Sequence, residues 1–254
     1  MTAQRLLGGA LVLTRLLPVF LVPPFFGARR VPPALRIGLA LAVAALFLPL
    51  TPHAPAAPGL LVALALKELL VGLALAFAVA MAFYGAEAGG RLIDLSRGVQ
   101  AGEGLAPDVP AQPSALGELY GLLAIVLFLT SGGHRLFLAS IAHSYEVLPL
   151  ASFPSASGLW GMTRLVVATS GHVFVLALGM AAPVLAVLFL TDLAIGLLAR
   201  STPAIPMYLL ALPARTLLGV AAFLAALSVT VPWLGRELGR VLDALAHTIS
   251  RLAP

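Results

Sequence analysis

The sequence predicts an all-α, membrane-associated protein built of helical hairpins, with about six long apolar helices and a few shorter amphipathic ones. Three observations carry this. Apolar residues make up 61% of the 254 residues and charged residues only 10%, against about a quarter charged in a soluble domain. The apolar residues gather into segments of roughly membrane length, separated by proline, glycine and polar punctuation. No segment reads as part of a β-sheet, and no long hydrophilic stretch could fold as a second, soluble domain, so residues 1–254 read as one helical domain.

Long helices are expected at about 6–22, 34–50, 60–84, 116–131, 165–192 and 206–231. The first carries Arg15 and Pro18, and no small-residue cleavage site closes it before Phe26, so it reads as a retained helix and not a removed signal peptide. The linker VPPFFGARRVPP flanks Arg29 and Arg30 with Pro23, Pro24, Pro32 and Pro33, which makes it stiff and strongly turned. A second linker, LPLTPHAPAAPG, has proline at every third position from Pro49 to Pro58 and suits an extended polyproline-like connector. The glycine pairs Gly89–Gly90 and Gly132–Gly133 either break helices or admit a second backbone, and at the ends of apolar segments breaking is expected.

Between Gly98 and Gln112, the residues Gly98, Gly102, Gly104, Pro107 and Pro110 rule out regular helix and predict a loop. Pro183, within the 165–192 segment, predicts a kink or a split near Gly179–Pro183. Two further helices are short or amphipathic. Gly133–Val147 is one, and Leu234–Leu252 is the other, with Leu234, Leu238, Leu242, Leu245 and Ile249 on one face and Arg236, Arg240 and Asp243 elsewhere. That last helix could lie on a membrane surface or dock on a partner.

The composition also excludes functions. With no cysteine there is no disulfide, thiolate metal site or cysteine nucleophile. The five histidines show no metal-ligand spacing, and GxSxG, Walker and dinucleotide-binding loops are absent, so no catalytic residue, cofactor or metal is expected. The net charge of +5 rests on fourteen arginines and the single Lys67, scattered and not grouped for nucleic acid, which points to anionic lipid. The arginines do not orient the chain by the positive-inside rule, as those near Glu87 and Asp94 are offset by acids.

Arg15, Lys67, Glu68, Asp192 and Arg215 fall inside apolar segments, where each would cost on the order of 3 kcal/mol in hydrocarbon. Each therefore needs a partner, a carbonyl or water. Lys67 and Glu68 read either as a structural pair or as the lining of a polar passage. Asp192 reads either as bridged to Arg200 or Arg215 or as a contact with another subunit.

In this order and spacing the residues resemble the FliR/SctT proteins of the export apparatus shared by flagella and type III secretion systems. The resemblance runs through Arg36 and LALAVA, KELLVG, AGGRLID ending at Asp94, QAGEGLAPD, and the long block SALGELYGLLAIVLFLTSGGHRLFLASIAHSYEVLP. It continues with Ala182–Pro183, Asp192, Gly196, Arg200, Pro203, LPAR and Gly219. The chain departs from the family where PAIPMY replaces a Pro-x-hydrophobic-Asn pattern and where Arg215 replaces a frequent lysine, and SYEVLP leans to the flagellar branch.

The resemblance implies a non-enzymatic pore component in the bacterial inner membrane, in the basal body of a flagellum or injectisome. One copy would join several FliP/SctR-like and FliQ/SctS-like subunits, with an FlhB/SctU-like switch protein as a further partner, and unfolded substrates would pass through the centre. It also implies that much of the apolar helix is covered by partners and not by lipid. A loop in the region of Gly98, Gln100, Gly102, Glu103, Gly104, Leu105, Pro107 and Asp108 would plug that pore. From the residues alone, a small-molecule membrane transporter is the alternative, but no repeated halves with matched broken helices are found.

Overall fold

The computed structural model describes residues 2–26, 31–47, 58–98, 113–201 and 207–252. Among these it is all-α. The helices are α1 (Thr2–Leu21), α2 (Pro33–Phe47), α3 (Pro58–Ser96), α4 (Ala115–Thr130), α5 (Gly133–Val147), α6 (Ala156–Ser201) and α7 (Met207–Ser250), with a 3-10 turn at Pro24–Phe26. Three are long and apolar enough to cross a membrane, over Leu60–Ser96, Ala156–Ser201 and Ala211–Ser250, and α4 and α5 form a further apolar pair bent by 70°. The expected count of about six long helices is loose, because among the described residues some apolar segments are short helices and two are parts of one helix.

The differences from expectation have local causes. Helix α3 runs on for 39 residues through Gly89–Gly90, because here the missing Cβ atoms admit neighbours. A Cβ on Gly90 would strike the Leu116 backbone of α4, and one on Gly89 would come within 3.0 Å of the Ala177 carbonyl of α6. The pair Gly132–Gly133 does break the chain: Gly132 has φ +76°, a left-handed conformation that few other residues adopt, and the bend between α4 and α5 lies there. Pro183 lies inside an uninterrupted α6, between the buried residues Met180, Ala181 and Val184. Neither Pro213 nor Pro232 ends α7, so the 206–231 and 234–252 segments are one helix of 44 residues. In apolar helices, neighbouring elements can satisfy the carbonyl that a proline frees.

By contacts the chain divides into two compact units, and α3, α4, α6 and α7 each contribute to both. The first comprises Met1–Phe83, Leu127–Gly171 and Leu238–Pro254. Its core is an aromatic cluster. Phe25, delivered by the proline turn, lies 4.4–5.6 Å by ring centroid from Phe26, Phe83, Phe128 and Phe137. The α7 residues Leu238, Val241, Leu242, Leu245 and Ile249, and Leu252 just after the helix, are all buried here, and the start of α6 comes so near that a Cβ on Gly158 would lie 3.2 Å from the Leu252 Cα. The amphipathic face read from the sequence is therefore covered by the protein itself.

The second unit comprises Tyr84–Val126 and His172–Glu237. Small residues set its helix contacts. Gly85 and Gly89 of α3 face Leu176 and Ala177 of α6, and Gly179 of α6 receives the Trp233 ring of α7. Tyr120 packs on Phe223 at 5.0 Å, and its hydroxyl lies 3.3 Å from Thr230 Oγ1.

Candidate functional site: a buried charge cluster and the base of the glycine-rich loop

In the first unit the ionisable groups of α1 and α3 meet at the C-terminal end of α5. The Arg15 and Glu68 side chains are fully buried and Lys67 nearly so. Every nitrogen of the guanidinium is used. Nε and Nη2 pair with the two Glu68 oxygens, the latter at 3.0 Å. Nη1 donates to the Ser144 carbonyl at 2.9 Å and to Ser144 Oγ at 3.1 Å, and Nη2 also donates to the Leu148 carbonyl at 2.9 Å. The Tyr145 ring covers the guanidinium at 4.2 Å, and its hydroxyl donates to the Val12 carbonyl at 3.0 Å.

Lys67 pairs with Glu68 at 2.5 Å and donates to the carbonyls of Pro149, Leu150 and Ser152 at 3.1–3.2 Å. Two cations thus sit among the backbone carbonyls at the C-terminal end of α5 and in the turn that follows it, and one carboxylate lies between them. Lys67 and Glu68 are thus both buried and paired with each other. Sequence reasoning missed the α5 side of the cluster. Ser144 and Tyr145 are ordinary residues of an amphipathic helix, and nothing in their spacing announces a partner on α1. Gly72, one turn after Glu68, makes the contact possible, because a Cβ there would overlap the Arg15 carbonyl.

The second unit holds the two ends of the glycine-rich loop together. Asp94, near the end of α3, pairs with Arg97 at 2.8 Å. Its other oxygen accepts from Ser114 Oγ at 2.7 Å and from the Leu116 amide at 2.9 Å. Ser114 in turn caps α4 by accepting from the Gly117 amide at 2.9 Å. Arg97 lies against Gly219 of α7, where a Cβ would come within 2.6 Å of its side chain. Gly98, at φ +78°, turns the chain out of α3. The remaining expected loop residues, Gln100, Gly102, Glu103, Gly104, Leu105, Pro107 and Asp108, lie outside the described residues. A serine before an apolar run was a readable helix-start signal at Ser114, but its carboxylate partner twenty residues earlier was not.

Asp192 pairs with Arg215 at 2.5 Å, so α6 and α7 are bridged by one of the two expected arginines. Burial is not what the structure shows for this group. The Asp192 and Arg215 side chains are 43% and 34% exposed, and Arg200, in the last turn of α6, is also exposed.

Among known proteins, residues 6–241 match the family described as bacterial export proteins, family 1. The chain belongs to this family, the FliR/SctT proteins. It is 26% identical to the flagellar biosynthetic protein FliR of Escherichia coli (strain K12) over 243 residues, 94% of this chain and 92% of that protein. To FliR of Bacillus subtilis (strain 168) it is 29% identical over 222 residues, 86% of this chain and 85% of that protein. To the Yop proteins translocation protein T of Yersinia pestis it is 29% identical over 151 residues, 59% of this chain and 57% of that protein. This FliR/SctT protein is therefore a membrane-located component of protein export of the flagellar and type III kind.

Proposed function

We propose that this chain is a pore component of the type III protein export gate, acting as a single domain. It assembles with FliP/SctR-like and FliQ/SctS-like subunits, beside an FlhB/SctU-like switch protein, and passes unfolded proteins across the bacterial inner membrane within a basal body. It performs no chemistry of its own. The observation that carries this reading is the family match over 6–241, nearly the whole chain, with more than nine-tenths of E. coli FliR covered. The greater coverage of the flagellar relatives favours a flagellum over an injectisome.

The surface supports a life among other subunits and lipid. Leu35, Leu46, Phe174, Phe189, Leu217 and Val229 are each at least 65% exposed, far more large apolar surface than a soluble monomer carries. The Arg15–Lys67–Glu68 cluster holds three helices in register, Asp192, Arg200 and Arg215 present charge for a subunit contact, and the loop from Gly98 to Asp108 plugs the pore. Its base supports that role, because the Asp94–Ser114 hydrogen bond fixes both ends of the loop while glycines and prolines fill its length.

Co-expression of the tagged chain with its FliP-like and FliQ-like partners and extraction in mild detergent tests the assembly. One large complex containing all three is expected, and a stable lone monomer or homodimer overturns the reading. Deletion of Ala101–Pro107 should leave that complex intact and raise its ion conductance in planar bilayers. Unchanged conductance would remove the plug role.

A further inference from the structure

Within the first unit, the start of α6 and the end of α7 line an open cleft of about 690 Å³ that the proposed export role does not use. Its size lies within the roughly 300–1,000 Å³ of ligand-binding clefts. The lining includes Trp160, Arg164 and Leu165 from α6, His247 and Thr248 from α7, and Arg251 in the turn that follows it. Arg164 and Arg251 are both exposed, and neither forms an ion pair among the described residues. Residues 156–171 contain no acid, and the one carboxylate of 238–252, Asp243, is not part of the lining. Among the described residues, two arginines thus face one cleft without a counter-charge.

The position of the cleft along the helices narrows what could supply that charge. The run of α6 free of Asp, Glu, Lys and Arg begins at Leu165, immediately after Arg164, so the cleft lies at the N-terminal end of the candidate span Ala156–Ser201 and the C-terminal end of Ala211–Ser250. Trp160 is 74% exposed at that level, as expected of a side chain at the boundary between headgroups and hydrocarbon. Leu159 and Val167, 53% and 66% exposed, extend apolar surface along the same stretch of helix.

We propose that this cleft binds the headgroup phosphate of an anionic glycerophospholipid. Arg164 and Arg251 donate to its oxygens, while Trp160 and Val167 meet the glycerol and the acyl chains. An acidic protein segment would satisfy the arginines but gives no reason for the exposed tryptophan and apolar surface beside them. The inference needs lipid at this end of α6 and α7 and nothing of the pore, so lipid retention and subunit assembly are read by separate measurements.

The test is native mass spectrometry of the full chain in mild detergent with added phosphatidylglycerol, phosphatidylcholine or inorganic phosphate. Phosphatidylglycerol should be retained in preference to phosphatidylcholine. The doubly substituted R164A/R251A chain should hold it about thirtyfold more weakly, from about 1 kcal/mol per arginine, and R164K/R251K should lose less. Both arginines are exposed, so an unchanged Tm will show that the fold is kept. Equal retention of the two lipids, or retention indifferent to R164A/R251A, overturns the proposal. Displacement by inorganic phosphate at the lipid's own concentration would make the site one for free anions, and loss of co-expressed subunits with lipid retention unchanged would assign it to a protein partner.

Discussion

Replacing Glu68 by Gln keeps the size of the side chain and removes the only negative charge between Arg15 and Lys67. The cluster carries a net charge of +1 in the native protein, from two cations and one carboxylate, and +2 after the substitution. Arg15 is 0% exposed and Lys67 6%, so neither cation can turn to water without opening the contact of α1, α3 and α5. Stripping a buried charge of its partner destabilises by about 3–5 kcal/mol. For a chain of this length about 1 kcal/mol moves Tm by about 2–4 °C, so a fall on the order of 10 °C is expected.

The assay is thermal unfolding of the purified protein in mild detergent, followed by far-ultraviolet circular dichroism. Adding Lys67→Met to Glu68→Gln returns the cluster to +1, and the two substitutions together should be less damaging than the sum of each alone, by a coupling of about 0.5–3 kcal/mol. A Glu68→Gln protein that melts with the native one, or a double variant whose losses simply add, would refute the argument that charge balance holds these helices together.

Other consequences are as direct. Gly72→Ala and Gly90→Ala place a Cβ into the Arg15 and Leu116 backbones, and each should lower stability by at least about 1–3 kcal/mol in the same melting assay. Asp94→Ala removes the acceptor for Ser114 and for the Leu116 amide, so hydrogen exchange at Leu116 should speed up with a local loss of about 1–2 kcal/mol, while amides in α5 keep their protection. For Asp192 and Arg215, whose side chains are a third or more exposed, a double-mutant cycle in detergent should give a coupling below about 1 kcal/mol. A larger value would show that the pair is shielded from solvent.

Several parts of the site are legible in the sequence. Arg15, Lys67 and Glu68 interrupt apolar runs, and the cost of a lone charge in such surroundings demands a partner for each. The face of Leu234–Leu252 can be read from its spacing, and every one of its expected apolar residues is buried. The loop start at Gly98 follows from glycine chemistry and takes the form of a left-handed turn. Less legible are the glycine pairs. Gly89–Gly90 and Gly132–Gly133 look alike in sequence, yet the first lies in a continuous helix pressed against two neighbours and the second ends one, because a glycine's role depends on what packs over it.

By itself the sequence determined the class, because a chain with one charged residue in ten cannot fold as a soluble domain and its apolar runs are of helical, near-membrane length. It also determined which groups could not be left alone. Tertiary structure alone decided their partners. Arg15 meets Glu68 across 53 residues and Ser144 across 129, and Asp94 meets Ser114 across the glycine-rich loop. Such pairings depend on where helices cross, and the crossing is set by the absence of a side chain at Gly72 or Gly90, which carries no local signal of what will approach it.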